Sequence, residues 1–215
     1  YCALVLALAA LSWGLLGSRG FLLAALALVC LFWCYVLMWL RRYAAAPNHR
    51  DPALLLQLAG LAVLLGPWIA LLDLHGGPGY GPGHVLFLMA LVWIADSGAY
   101  FSGRRWGRRK LAPAISPGKT REGGIGALVV TLAVALVGAM AFGLRAAQWP
   151  LFVLVCLVTV AFSIAGDLFE SMAKRQRGVK DSGSLLPGHG GMMDRLDSLT
   201  AAAPVFLFGL QGLTP

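Results

Sequence analysis

Phe21 to Leu40 is a run of twenty residues without a single Asp, Glu, Lys or Arg. At 1.5 Å per residue, a helix of that length crosses a hydrocarbon core about 30 Å thick. Lipid offers the backbone no hydrogen-bond partners, so a single apolar run can be accommodated there only as a helix. Similar runs recur at Tyr1–Leu16, Ala53–Leu72, Val85–Tyr100, Ile125–Phe142, Trp149–Ala165 and Ser198–Leu210. The composition agrees: of 215 residues, 59% are hydrophobic and only 12% charged, where a soluble domain carries about 25% charged residues. The expectation is an all-α polytopic integral membrane protein with about seven transmembrane helices, forming one membrane domain over residues 1–215. Gly66-Pro67 is expected to kink the third helix. The sixth is expected to continue to about Arg175, roughly 40 Å in all, so that its end stands out of the bilayer. The chain starts on Tyr1, and the first run lacks the basic start of a cleavable signal peptide. A fragment lacking earlier helices is therefore expected, with residues 1–84 supplying N-terminal helices and residues 85–215 the catalytic helices and loops.

The charges fall on one side. Assigning the segments between runs alternately to the two faces puts Arg41, Arg42 and Arg50 on one face. The seven Lys/Arg from Arg104 to Arg121 and the five from Lys174 to Arg195 join them, while the other face receives only Arg19 and Arg145. Fifteen against two is the asymmetry that makes the rich face cytoplasmic. Of the nine acids, only Asp73 lies away from that face. Carboxylates and cations gathered at one end describe a site facing the cytoplasm of a cell inner (plasma) membrane rather than a path through it. A cation transporter using Asp96 and Asp167 would need its acids nearer mid-span. Nucleic-acid binding is excluded as well, since the basic residues flank membrane spans without interleaved aromatics.

The densest polar stretch is Gly166–Ser198, with five Lys/Arg and five Asp/Glu. Asp167, Glu170, Ser171 and Lys174 follow at i, i+3, i+4 and i+7, one face of a helix. Gly178, Gly183, Gly188, Gly190 and Gly191 then supply turns, and Asp194 and Asp197 open the next apolar run. Asp167 and Asp194 thus sit on different elements, each where an apolar helix meets a charged loop. Converging oxygen ligands of this kind suit Mg²⁺, with positions left for water and phosphate. Pairing with Arg175 or Arg195 as structural ion pairs is the competing reading. Lys174, Arg175, Arg177 and Lys180 read alone as a membrane flank, but interleaved with Asp181 and His189 they suit an anion. The glycines around His189 allow a backbone nest.

Ser116-Pro-Gly-Lys-Thr-Arg-Glu122 has the tail of a phosphate loop without its upstream glycine or strand. Lys119 can still contact phosphate, with Ser116 and Thr120 offering hydroxyls. Asp96 lies inside a span near its end, where ionisable residues are functional or paired. The glycine-rich stretch around Gly76–Gly83 lacks the Lys-Ser/Thr of a phosphate loop and reads as a turn. Cys2, Cys30, Cys34 and Cys156 all fall in apolar runs without ligand spacing and read as buried free thiols.

Ser171-Met-Ala-Lys-Arg, then Lys180-Asp181, then Leu186-Pro-Gly-His-Gly-Gly-Met-Met-Asp-Arg-Leu-Asp197 resembles the signature of the CDP-diacylglycerol synthase (phosphatidate cytidylyltransferase) family. Asp96-Ser-Gly-Ala-Tyr-Phe-Ser-Gly-Arg104 and Ser116-Pro-Gly-Lys-Thr-Arg-Glu-Gly123 are similar to two further stretches of it. The resemblance runs from about Val85 to the end. It departs at Ala173, where the family carries a larger aliphatic residue, and in having fewer N-terminal helices. It implies transfer of the cytidylyl group of CTP to phosphatidate drawn from the bilayer, with Mg²⁺, K⁺ as a partner ion, and membrane lipids and a second copy of the chain, as a homodimer, among the partners. On this reading Asp167, Asp194, Lys174 and Arg175 are catalytic. Asp167, Asp194 and Asp197 hold metal, and Lys119, Ser116, Thr120, Ser171, Lys180, Asp181, His189 and Asp96 bind substrate. A polyprenol kinase or an archaeal-lipid cytidylyltransferase is the nearest alternative.

Overall fold

A computed structural model describes residues 1–46, 50–179, 181–183 and 191–213. The helices are α1 (Cys2–Leu15), α2 (Arg19–Ala45), α3 (Ala53–Gly76), α4 (Pro82–Trp106), α5 (Arg121–Ala141), α6 (Trp149–Gln176) and α7 (Met193–Leu210). Five elements, α2 to α6, are long and apolar enough to cross a membrane, and the protein is a polytopic helical membrane protein. The expected seven spans are not all met: α1 has 14 residues, and the first turns of α7 carry Asp194, Arg195 and Asp197.

Helix ends run past the apolar runs. Helix α2 continues through Arg41 and Arg42 to Ala45, because cations in a last turn complement the helix dipole instead of ending the helix. Helix α3 is continuous through Pro67. Helix α6 reaches Gln176 as expected, and Gly178 leaves it with φ 70°, the left-handed conformation that glycine adopts without strain.

Helices α6 and α7 form the centre. Ser198 to Leu207 are all buried, and half of the apolar window of α6 is buried, against 22–28% for the other four spans. Leu6, Leu28, Val129 and other large apolar side chains of the outer helices stay exposed, as a lipid-facing surface requires. Gly166 sets the approach of the central pair: a Cβ there would lie 2.7 Å from the Asp197 carbonyl oxygen and 3.3 Å from Ala201 Cβ. The small residues Ala201–Ala203 on α7 complete that close contact, as in membrane helix pairs generally. The cysteines are all free, yet only Cys156 is buried; Cys2 and Cys34 are exposed on the outer faces of α1 and α2.

One element departs from the all-helical expectation. β1 (Lys110–Ala112) and β2 (Ser116–Thr120) form an antiparallel hairpin in the loop between α4 and α5. Ala112 and Ile115, 8% and 1% exposed, join the core cluster that contains Leu168, Phe169 and Met172 of α6. This apolar anchor folds the hairpin back onto the end of α6. The turn between the strands is closed by the Ile115 amide donating to the Ala112 carbonyl at 3.1 Å.

Candidate active site

The strand β2 carries Lys119 to α6, where its Nζ lies 2.5 Å from Asp167 Oδ2. Thr120 ends the strand and caps α5, its hydroxyl accepting from the Gly123 amide at 3.1 Å. Glu122 accepts from the amides of Arg108 and Arg109 at 3.1 Å, which ties the start of α5 to the chain leaving α4. The hairpin is therefore held at both ends, and Lys119 is delivered by backbone rather than by a free loop.

A cavity of about 610 Å³ opens beside this pair, within the range of roughly 300–1,000 Å³ usual for small-molecule sites. Asp96 from α4, Asp167 from α6 and Asp194 and Asp197 from α7 line it, together with Lys119 and Arg104. Asp96 lies within electrostatic range of Lys119, Asp167 and Asp197. Asp197 accepts from the Ser198 amide at 2.7 Å. Burial raises the Asp197 carboxyl above its ordinary value, and the charge of Asp167 adds to that.

Lys174 stands just behind the wall. Its Nζ donates to Asp194 Oδ1 at 2.6 Å and to Glu170 Oε2 at 3.0 Å. Asp194 Oδ2 accepts from the Gly191 amide at 2.7 Å and from the amide and hydroxyl of Ser182, each at 2.9 Å. Burial alone would raise the Asp194 carboxyl, but Lys174 and these donors outweigh it and hold it well below the usual carboxylate range. Asp194 thereby fixes both described ends of the glycine-rich loop, Ser182 and Gly191, to α6.

The residues singled out in sequence divide cleanly. Asp96, Lys119, Thr120, Asp167, Asp194 and Asp197 meet at the cavity. Ser171 touches it indirectly, donating to Asp167 Oδ1 at 3.4 Å, and Lys174 does so through Asp194. Ser116 lies at the far end of β2, opposite Ala112. Arg175 and Asp181 are exposed and are not among the residues lining the cavity. Lys180 and His189 lie outside the described residues. The carboxylates do form ion pairs: Asp167 with Lys119 and Asp194 with Lys174. Sequence reasoning assigned no role to Arg104, Tyr100 or Glu170; Tyr100 and Arg104 follow Asp96 at i+4 and i+8, a signal that would have found them.

The donor set is all oxygen, which suits a hard cation. Among the described residues no three His, Cys, Asp or Glu side chains form a metal-binding group. Mg²⁺, if held here, would take its remaining ligands from water and substrate phosphates.

A profile of the cytidylyltransferase family matches residues 1–212. The phosphatidate cytidylyltransferase of Haemophilus influenzae is 51% identical over 138 residues, covering 60% of this chain and 47% of the relative. That of Pseudomonas aeruginosa is 48% identical over 147 residues, covering 68% and 54%, and that of Staphylococcus saprophyticus 45% over 122, covering 57% and 46%. The chain spans about half the length of the curated relatives it matches. With a match over nearly its whole length, and a cavity built from the very segments that carry the signature residues, the chain belongs to the cytidylyltransferase family.

Proposed function

We propose that the cavity transfers the cytidylyl group of CTP to phosphatidate, releasing pyrophosphate and leaving CDP-diacylglycerol in the membrane. One observation carries this reading: carboxylates from three helices and a lysine from the hairpin converge on a single cavity at the basic end of membrane-spanning helices. The names of the relatives support it. The fifteen-to-two placement of Lys and Arg supports a cytoplasmic site in the plasma membrane.

The chemistry asks little of proton transfer. A phosphate oxygen of phosphatidate, already anionic near neutral pH, forms a bond to the α-phosphorus of CTP. The bond from that phosphorus to the α–β bridging oxygen breaks, and pyrophosphate departs with the electron pair. The barrier is mutual repulsion of anions and alignment, which fixed charges lower. Lys119 has donors beyond the one given to Asp167 and offers them to phosphate. Asp194 and Lys174 tie Ser182 and Gly191 to the end of α6 beside the cavity. Asp167 and Asp194, with Asp197 in support, would hold Mg²⁺; the ion, when bound, supplies charge neutralisation for the triphosphate, and K⁺ is the candidate second cation.

The test uses CTP labelled at either the α- or the γ-phosphorus, phosphatidate in mixed micelles, and Mg²⁺. The reading requires α-label in a lipid product and γ-label in pyrophosphate. γ-Label in the lipid would identify a CTP-dependent kinase, and α-label only with a polyprenol or ether-lipid acceptor would identify a different cytidylyltransferase. Mg²⁺ binding has its own readout, a Mg²⁺-dependent rise in melting temperature that Asp167→Asn abolishes.

A further inference from the structure

The cavity wall formed by α4 is polar at one end and apolar at the other. Trp93, Asp96, Tyr100 and Arg104 all line the cavity, and their spacings of three, four and four place them in one stripe along the helix. From Trp93 to Arg104 the stripe spans about 16 Å along the axis, running from within the span to its end. Val92 beside Trp93, with Ile164 of α6 and Leu199 of α7, makes the deep end apolar. Trp93 is 56% and Tyr100 58% exposed, so this end of the cavity opens sideways to the lipid-facing surface.

Arg104 differs from the two lysines of the site. Lys119 is paired with Asp167, and Lys174 with Glu170 and Asp194. The Arg104 guanidinium donates to the Tyr100 hydroxyl at 3.0 Å, and among the described residues no carboxylate stands within ion-pair distance of it. A neutral phenol orients the guanidinium without neutralising it. The remaining donors of its planar fork suit two oxygens of one phosphate.

Resting on the cytidyl-transfer reading above, we propose that Arg104 binds the phosphate of the lipid substrate, with Tyr100 positioning it and the Trp93 end of the stripe receiving the acyl chains. The order of groups matches a lipid in the leaflet: the charged headgroup lies at the end of the span and the chains run inward along α4. Lys119, beside Asp167, is left for the nucleotide. The two anions then enter from different directions, the nucleotide from water and the lipid from the bilayer.

The experiment compares wild type with Arg104→Gln, varying phosphatidate surface fraction at saturating CTP and then CTP at saturating phosphatidate. The expected result is an apparent KM for phosphatidate raised about ten-fold or more, as losing a charge-assisted pair implies, with the KM for CTP within about two-fold. A rise in the CTP KM, or no change in either, overturns the proposal while leaving cytidyl transfer intact. Absence of transfer in wild type overturns the parent reading instead. If Arg104→Gln does not accumulate folded, Tyr100→Phe reads the same contact, with a rise of about three-fold expected and an unchanged phosphatidate KM contradicting the assignment. Trp93→Ala supplies an independent arm: it should weaken the use of long-chain phosphatidate more than that of a dihexanoyl form. Equal effects on both would remove the acyl track.

Discussion

The two ends of the helix bundle use the same residue types to opposite effect. At one end Asp73, 9% exposed, sits in the last turns of α3 within electrostatic range of Arg19. Arg19 donates to Gln211 at 2.9 Å, and Gln211 donates to the Tyr80 hydroxyl at 3.3 Å. These contacts tie the start of α2, the cap of α7 and the turn before α4 together. At the other end Asp96, Asp167, Asp194 and Asp197 face a cavity, with carboxylates close enough to repel one another. Polar groups closed on each other hold helices together, whereas like charges gathered around open space are arranged for something that is not protein. Asp167 and Asp194 have lysine partners as well; what sets this end apart is that its carboxylates line an open cavity.

The sharpest way to break this contrast is to neutralise the carboxylates of the open end. Asp167→Asn and Asp194→Asn each keep size and lose the charge that holds a hard cation, and each is expected to lower cytidyl transfer by about a hundred-fold or more. Because they serve one ion, the double variant should be scarcely worse than either single one; additive losses in steady-state rates would separate their roles. Lys119→Gln removes an ammonium from the same cavity and should lower turnover and CTP affinity by about ten-fold or more, read from initial rates at varied CTP, with the melting temperature little changed.

Smaller effects, on stability rather than rate, belong to the packing and to the closed end. Gly166→Ala places a methyl group 2.7 Å from the Asp197 carbonyl oxygen, so α6 and α7 must separate, destabilising the fold by about 1–3 kcal/mol in a denaturation assay. Asp73→Asn should lower the melting temperature by a few degrees, with activity per folded molecule retained. Asp194 adds a pH dependence. Its carboxyl is held below the ordinary range, so its contribution to stability is complete above the unfolded carboxyl pKa of about 4 and is lost as pH falls through the depressed folded value. Melting temperature should therefore drop more steeply on acidification in wild type than in Asp194→Asn.

Much of this was legible in the sequence because hydrophobic length and charge placement are local properties. The runs predicted the helices, including the extension of α6 past its apolar part to Gln176, and Asp167 and Asp194 stood out where spans meet polar loops. The hairpin was not legible: its strands have three and five residues, and it forms where Ala112 and Ile115 are buried against α6. Lys119 and Asp167 meet because of that tertiary contact, and no spacing announces it. The pairing of Asp194 with Lys174 and with the Ser182 and Gly191 amides was hidden similarly, since an ion pair with a neighbouring arginine looks equally reasonable on paper. Helix α1 shows the limit of composition alone. It is as apolar as the others, yet of its side chains only Ser12 is buried.

The direct test sets one carboxylate from each end side by side. Transfer of α-labelled cytidylyl to phosphatidate, normalised to folded protein, is measured for Asp167→Asn and Asp73→Asn together with their melting temperatures. The account predicts that Asp167→Asn loses nearly all transfer while melting close to wild type, and that Asp73→Asn melts lower while each folded molecule transfers at nearly the wild-type rate. Near-normal transfer in Asp167→Asn, or loss of transfer in well-folded Asp73→Asn, would contradict it.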